Sequence, residues 1–209
     1  MTSKSVALIT MSTRGARVGP TVASFVEKII EKPLSSAGIS LASVDLVKFN
    51  LPVYNEPVAP AVVPEKAQFK YEHSRAWSAE IGKHDGYVLV IPEYNYGVAG
   101  GTKNAIDYLL NEWKGKPAAI VSYGTQGGGA ASEQVKGSLS GMGLRVAETR
   151  PALPFSKPDI FGAVGGGRLG DATLKAWEAE QTESILQAAE DLKALLLQPN
   201  TPANAPPRP

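Results

Sequence analysis

Short apolar runs alternate with longer stretches of helical periodicity along the chain. The runs are rich in aliphatic and β-branched residues and predict strands at residues 6–10, 41–49, 87–91, 117–123 and 144–149. Apolar residues three and four positions apart predict helices at residues 18–30, 74–81, 102–110 and 130–141, and a single last helix at residues 174–195. Five such units predict an α/β protein with a doubly wound, five-stranded parallel sheet in three α/β/α layers.

Two proline-rich segments break this alternation. Residues 51–71 contain four prolines and predict a long irregular excursion, and loops of that length in a compact domain usually cover a site or a partner. Residues 198–209 contain five prolines and few apolar side chains, which predicts a disordered tail, with a ligand for an aromatic groove as the alternative. We therefore predict one domain over residues 1–197, followed by the tail.

Composition excludes several classes of function. The 209-residue chain has a net charge of +1 and scattered Lys and Arg, which does not indicate a nucleic-acid partner. Cysteine is absent, so redox chemistry requires a bound cofactor. His73 and His84 lack a second cluster of ligand-like residues, and we expect no metal site. Since no uncharged apolar stretch approaches the roughly 18 to 20 residues of a membrane helix, we expect a soluble cytoplasmic protein that does not bind membranes.

The third strand leads into a loop that suits a flat ligand. This loop reads Pro92-Glu93-Tyr94-Asn95-Tyr96-Gly97, and loops at the carboxyl ends of parallel strands form the ligand crevice. Proline stiffens the strand exit, Asn95 offers a donor and an acceptor together, tyrosine rings pack on aromatic ligands, and Gly97 permits close approach. These residues predict the edge of a hydrogen-bonding heterocycle, which we infer to be a flavin.

The loop after the first strand carries groups that bind phosphate. It reads Ser12-Thr13-Arg14-Gly15-Ala16-Arg17-Val18-Gly19 and ends at a helix amino terminus, where hydroxyls, guanidinium groups and free N–H groups converge. A third loop, Tyr123-Gly124-Thr125-Gln126-Gly127-Gly128-Gly129, adds backbone N–H groups without large side chains. The first loop alone is compatible with an ordinary solvated arginine loop. The three loops together favour a phosphate monoester joined to an aromatic ring.

The sequence does not indicate either of two common nucleotide-binding motifs. Residues 165–170 read Gly-Gly-Gly-Arg-Leu-Gly and satisfy GxGxxG by letter, but they do not follow a first strand or open a βαβ unit. We interpret them as a flexible surface turn before the last helix. The chain also has no GxxxxGK[ST] sequence, which excludes a nucleoside triphosphatase of that type.

The three loops resemble those of the NAD(P)H-dependent FMN reductase family, and most closely its quinone-reductase and azoreductase-like members. The resemblance covers about residues 4–197, and residues 92–97 with Lys103-Asn104-Ala105-Ile106-Asp107 are its most specific part. The sequence departs from the family pattern at Met11, where glycine is usual, and at Arg17 and Gly19, where many bacterial members have Ser and Asn.

The resemblance implies a fold, a cofactor and a set of contacts. It implies a flavodoxin-like fold, bound FMN, and homodimers or homotetramers with the flavin near the subunit interface. Carried over by position, the phosphate contacts would be Ser12, Arg14, Arg17, Val18 and Gly19. The flavin-ring contacts would be Pro92, Glu93, Tyr94, Asn95, Tyr96, Gly97, Tyr123, Gly124, Gln126 and Gly127.

The implied activity is an oxidoreductase reaction without an acid or base from the protein. Hydride would pass from NAD(P)H through FMN to a quinone, free flavin or azo compound in a ping-pong mechanism. A flavodoxin-type one-electron carrier is an alternative, although such carriers are usually strongly acidic. A response-regulator-like module needs acidic residues where this chain has Thr10, Met11 and Pro92. An interaction protein that holds FMN without turnover remains a further alternative.

Overall fold

The computed structural model of the protein describes residues 4–63 and 68–198, and its centre is a sheet. The strands are β1 (Lys4–Thr10), β2 (Ile39–Asp45), β3 (Gly86–Tyr94), β4 (Gly97–Val98), β5 (Pro117–Gly124), β6 (Arg145–Val146) and β7 (Ala152–Pro154). Five parallel strands follow the order β2-β1-β3-β5-β6. In addition, β7 pairs in parallel with β5, and β4 pairs in antiparallel fashion with β3. The predicted five-stranded parallel sheet is thus confirmed, with two short strands added.

Helices cover both faces of this sheet. They are α1 (Gly19–Ser36), α2 (Glu72–Gly82), α3 (Gly100–Asp107), α4 (Gly129–Gly141), α5 (Ile160–Gly165), α6 (Asp171–Glu180) and α7 (Thr182–Leu197). Alternate side chains of β1 enter opposite cores, since Leu8 packs with α1 and α7 whereas Ile9 packs with α2, α3 and α4. Burial on both faces explains why the strands are almost continuously apolar. Within the described ranges, no helix is long and apolar enough to cross a membrane.

The second strand is shorter than predicted, and the first helix is longer. The predicted strand over residues 41–49 ends at Asp45, because this side chain accepts a hydrogen bond from the Val47 N–H at 3.3 Å and begins a 3₁₀ turn over Leu46–Phe49. Helix α1 continues six residues beyond the predicted end, and Pro33 lies inside it.

The predicted fifth strand over residues 144–149 is interrupted. Only Arg145 and Val146 lie in β6, and the chain returns to β5 as β7. Between them, the Thr149 N–H donates to the Asp191 carboxylate of α7 at 2.9 Å, and Pro151 has no N–H to offer a neighbouring strand. Thr149 and Pro151 therefore divert the backbone away from its hydrogen bonds with β5.

The single last helix predicted over residues 174–195 is also wrong, because the helix divides at Gln181. Helix α6 packs beside residues 157–159, whereas α7 packs on α1 and β5, so the two segments follow different neighbours. Trp177 anchors α6 through a 2.6 Å hydrogen bond from its indole N–H to the Pro154 carbonyl. The apolar periodicity continues through the break, since both segments face the same core.

The excursion predicted at residues 51–71 is irregular in its described part, apart from a short 3₁₀ turn at Pro60–Val62. Asn104 of α3 holds its start, accepting from the Tyr54 N–H at 2.9 Å and donating to the Pro52 carbonyl at 2.7 Å. The Lys-Asn-Ala sequence therefore has a structural role in this chain. The tail predicted at residues 198–209 lies outside the described residues beyond Gln198, and its disorder stays a prediction.

Candidate functional site

A cavity of about 440 Å³ lies at the carboxyl edge of the sheet, where the loops after β1, β3 and β5 meet. Its volume falls within the range of small-molecule sites. The predicted residues that line it are Arg14, Arg17, Val18, Pro92, Glu93, Tyr94, Asn95, Tyr123 and Gly124. All three loops identified in the sequence therefore contribute to one site.

The amino terminus of α1 provides the anion-binding end of the cavity. Val18 caps this 18-residue helix without a side-chain hydrogen bond, and its first turn contains no acidic residue. An uncapped helix start presents free N–H groups and the positive end of the helix dipole. Arg14 extends from the same loop, where its guanidinium carbon lies 5.7 Å from the centre of the Tyr94 ring. These donors suit a phosphate group.

Arg17 supports the loop from behind. Its guanidinium donates to the Asp45 carboxylate at 2.7 Å and to the Ser12 carbonyl at 3.0 Å. The side chains of Arg17 and Asp45 are 11% and 25% exposed, so this pair is largely screened from water. Arg17 thus holds the loop in shape even though part of it lines the cavity.

Ser12 and Gly19 form the close contact between the loop and α1. A Cβ atom placed on Gly19 would lie 2.1 Å from the Ser12 hydroxyl oxygen and 2.9 Å from that of Tyr123, so a larger residue there would displace these hydroxyl groups. Ser12 is buried, and its hydroxyl is hydrogen-bonded to Tyr123. Burial raises the pKa of Tyr123 well above its usual range, which keeps the phenol neutral and able to donate.

The loop predicted over residues 92–97 is a tight hairpin, because the strand continues further than predicted. Pro92 and Glu93 continue the strand, and Tyr94 pairs with Gly97 of β4. Asn95 and Tyr96 occupy the turn with φ values of +50° and +60°, as a two-residue type I′ turn requires. The turn leaves the Tyr96 side chain 78% exposed.

Hydrogen bonds fix the glycine-rich loop at both of its ends. The Glu93 carboxylate accepts from the Ala131 N–H at 3.1 Å in the first turn of α4, which compensates the positive end of that helix. The Ser122 hydroxyl donates to the Gly127 carbonyl at 2.9 Å and fixes the turn after β5. Gly124 contributes backbone to the cavity at the end of that strand.

Several predicted contacts lie away from the cavity lining. They are Ser12 and Gly19, which pack below the loop, and Tyr96, Gly97, Gln126 and Gly127, which belong to the two turns. Gly97 packs against the Gln134 side chain, whose oxygen accepts from the Val98 N–H at 2.9 Å. The direct contact of these residues with a ligand stays a prediction.

Three lining residues lie outside the predicted loops: Phe155, Ala163 and Val164. Thr125, a further lining residue, lies within the glycine-rich loop that the sequence predicts at the site. Phe155 follows β7, and the other two lie on α5, beyond all three loops. No local pattern indicates that this later segment returns to the cavity.

Comparison with known proteins identifies the family. The model of the NADPH-dependent FMN reductase family matches residues 5–158. The chain belongs to this family. It is 50% identical over 197 residues to the NAD(P)H-dependent FMN reductase ntnL of a Nectria species, a match that covers 93% of this chain and 98% of that protein. It is also 31% identical over 152 residues to a quinone reductase of Pseudomonas putida, covering 69% and 77% of the two chains.

The fold of this chain is similar to that of a flavoenzyme of known structure. FerB, an NAD(P)H:acceptor oxidoreductase from Paracoccus denitrificans, superposes with a TM-score of 0.61 at 23% identity and covers 90% of this chain and 97% of its own. These comparisons confirm four predictions made from the sequence. They are the family, the flavodoxin-like fold, the oxidoreductase class, and the use of FMN with NAD(P)H.

The residues of the cavity fit FMN. The α1 amino terminus and Arg14 supply N–H donors and positive charge for a phosphate. Tyr94, Asn95 and the Gly124 backbone line the same cavity and offer aromatic surface and hydrogen-bonding groups. A phosphate monoester joined to a flat heterocycle needs this combination.

Proposed function

We propose that this protein is an FMN-containing oxidoreductase that passes hydride from NAD(P)H through bound FMN to quinones, free flavin or azo compounds by a ping-pong mechanism. The observation that carries the proposal is the meeting of three loops at one cavity, which is lined both by Arg14 and the uncapped start of α1 and by the Tyr94–Asn95 hairpin. Family membership supports the same reaction class.

The protein's contribution is to bind and orient. Arg14 and the N–H groups at the start of α1 would hold the phosphate, and Tyr94, Asn95 and Gly124 would border the flavin ring. Bound FMN supplies the capacity to accept and pass on hydride. No side chain of the cavity is assigned as an acid or base, because Glu93 is engaged with the α4 amino terminus and burial keeps Tyr123 neutral.

A single site for both substrates supports the ping-pong order. The three loops border one cavity, which is open to solvent at Tyr94, a lining residue that is 38% exposed. NAD(P)H and the acceptor would therefore use the same approach and would have to bind in turn. Initial rates at several concentrations of both substrates test this order.

We further propose a homodimer or homotetramer. The exposed aromatic side chains of Tyr96 and Phe161, which is 89% exposed, support an assembly that covers the region around the cavity. Light scattering of the protein in solution measures the number of subunits, and a monomer at micromolar concentration would contradict this part of the proposal. Cytoplasmic localisation stays a prediction.

The cofactor proposal is tested by the visible absorption spectrum of the protein after incubation with FMN and gel filtration. We expect a flavin spectrum that elutes with the protein at about one FMN per chain. Quantitative loss of flavin during filtration, with no shift of the flavin bands on mixing, would contradict the proposed site.

A further inference from the structure

The glycine-rich turn at residues 165–170 is not a free surface loop. Together with α5 it forms a compact unit, residues 160–170, which we call the glycine hook. The N–H groups of Gly166 and Arg168 both donate to the Gly162 carbonyl at 3.0 Å, so the chain folds back on α5. The surface turn interpreted from the sequence is therefore a structured element.

The hook lies directly against the β1–α1 loop. Gly167 has a φ of +63°, and a Cβ atom placed on it would lie 2.6 Å from the Arg17 backbone nitrogen and 2.7 Å from the Ala16 carbonyl carbon. Both atoms belong to the peptide bond between Ala16 and Arg17. Only glycine permits this approach, since side-chain carbons do not come within 3.0 Å of backbone.

Further contacts fix the hook at both ends. The Ala163 carbonyl accepts a 3.4 Å hydrogen bond from the Arg14 guanidinium, and Ala163 also lines the cavity. At the other end, the Asp159 carboxylate packs on Gly170 and accepts from the Thr173 N–H at 2.7 Å in the first turn of α6. The hook thus connects the cavity wall to the backbone of the loop.

The β1–α1 loop depends on such support. Thr13, Arg14, Gly15 and Ala16 are exposed and lie outside regular structure, so the loop has little packing of its own on the outer side. Binding a phosphate through backbone N–H groups requires those groups to be oriented in advance, because ordering them on binding reduces affinity. Arg17 supports the loop from the side of β2, through Asp45, and the hook supports it through Gly167.

We propose that the glycine hook holds the Ala16–Arg17 peptide in its phosphate-binding orientation, and that Gly167 is a positioning residue for the phosphate of FMN. The inference rests on the proposed function. It assigns a role in cofactor selection to a segment outside the three loops and beyond the stretch that the family model matches.

The test compares FMN with riboflavin, which has the same ring but no phosphate. The protein is loaded by exchange against an excess of either flavin, and the dissociation constant is obtained from the fluorescence of flavin released on serial dilution. Gly167→Ala should raise the dissociation constant of FMN about 10-fold, the equivalent of one charge-assisted hydrogen bond, and should leave that of riboflavin unchanged.

Two matched controls separate positioning from general destabilisation. Gly165→Ala lies in the same hook with nothing within 4 Å of the added carbon and should change neither constant. Gly38→Ala introduces similar strain at a φ of +73°, again in open space, far along the chain from the loop. It should lower the melting temperature without changing the ratio of the two constants.

Gly167→Asn provides a second variant if the alanine variant folds poorly, because asparagine adopts positive φ more readily while still adding a Cβ atom. It should show the same selective loss of FMN. Unchanged FMN affinity in a folded Gly167 variant, or an equal loss for FMN and riboflavin, would overturn the role of the hook. If the wild-type protein itself binds both flavins equally, the phosphate site in the proposed function fails, and the hook's role fails with it.

Discussion

Arg14 provides the most direct test of the phosphate end of the site. The Arg14→Ala variant removes a guanidinium that lies over the Tyr94 ring and makes one long hydrogen bond, 3.4 Å, to the Ala163 carbonyl. Arg14 is exposed and forms no ion pair within the described residues. Its removal should therefore leave no buried charge uncompensated, and the melting temperature should stay within about 2 °C of wild type, since surface changes usually cost under about 0.5 kcal/mol.

The effect on FMN should be much larger. A charge-assisted hydrogen bond to phosphate contributes roughly 1.5 to 3 kcal/mol, so the dissociation constant of FMN should rise about 10- to 150-fold. Flavin release on dilution of the loaded protein measures this constant. Riboflavin should bind to the variant as to wild type, apart from a small loss of contact with the ring.

The Arg14→Lys variant is the matched control. It retains the charge but not the planar pair of donors, so we expect an intermediate dissociation constant for FMN. Wild-type FMN affinity in Arg14→Ala would remove Arg14 from the site. Equal losses for FMN and riboflavin would show that Arg14 acts on the ring or on the fold, and would refute the phosphate assignment.

Two further substitutions test the supports around the cavity, and a third tests a hydrogen-bonded carboxylate at the opposite edge of the sheet, where β1 and β3 begin. Arg17→Ala leaves the partly buried Asp45 carboxylate without its partner and should lower the unfolding free energy by roughly 1 to 3 kcal/mol in chemical denaturation; an unchanged midpoint would contradict the supporting role. Glu93→Ala removes the acceptor at the α4 amino terminus and should cost roughly 0.5 to 2 kcal/mol, whereas Glu93→Gln should recover part of the loss. Burial of Asp85 raises its pKa, but hydrogen bonds from the Ser5 N–H and the Lys4 ammonium outweigh that effect and lower it overall. The stabilisation is therefore present above the ordinary Asp pKa of about 3.9 and is lost as the pH falls, so Asp85→Asn should destabilise the protein at pH 7 and much less at pH 3. A pH-independent difference would contradict this.

The sequence was most informative where local residues decide the structure. Short, uncharged runs of apolar and β-branched residues predict buried strands, and the loops that follow parallel strands leave at one edge of the sheet. The sequence therefore predicts that Arg14, Tyr94 and Gly124 lie at one site, and all three line the cavity. The hairpin at Asn95 and Tyr96 was harder to foresee, because two consecutive non-glycine residues with positive φ are uncommon.

The remaining features depend on contacts between distant parts of the chain. The interruption between β6 and β7 arises from Asp191 on α7, and no pattern near Thr149 indicates that contact. Arg17 was assigned to the phosphate, and its pairing with Asp45 is visible only when β1 and β2 lie side by side. Gly167 lies in a glycine-rich segment, where a positive φ can be expected from the sequence. Its contact with the β1–α1 loop joins distant parts of the chain, and the sequence does not indicate it.

We propose that one cavity at the sheet edge holds FMN and serves both substrates. Initial rates of NAD(P)H oxidation by the FMN-loaded protein, measured at several concentrations of a quinone, test this proposal most directly. We expect protein-dependent turnover with parallel lines in double-reciprocal plots, because one substrate must leave before the other binds. Intersecting lines would contradict the shared site, and NAD(P)H oxidation no faster than in the absence of the protein would contradict the reductase function itself.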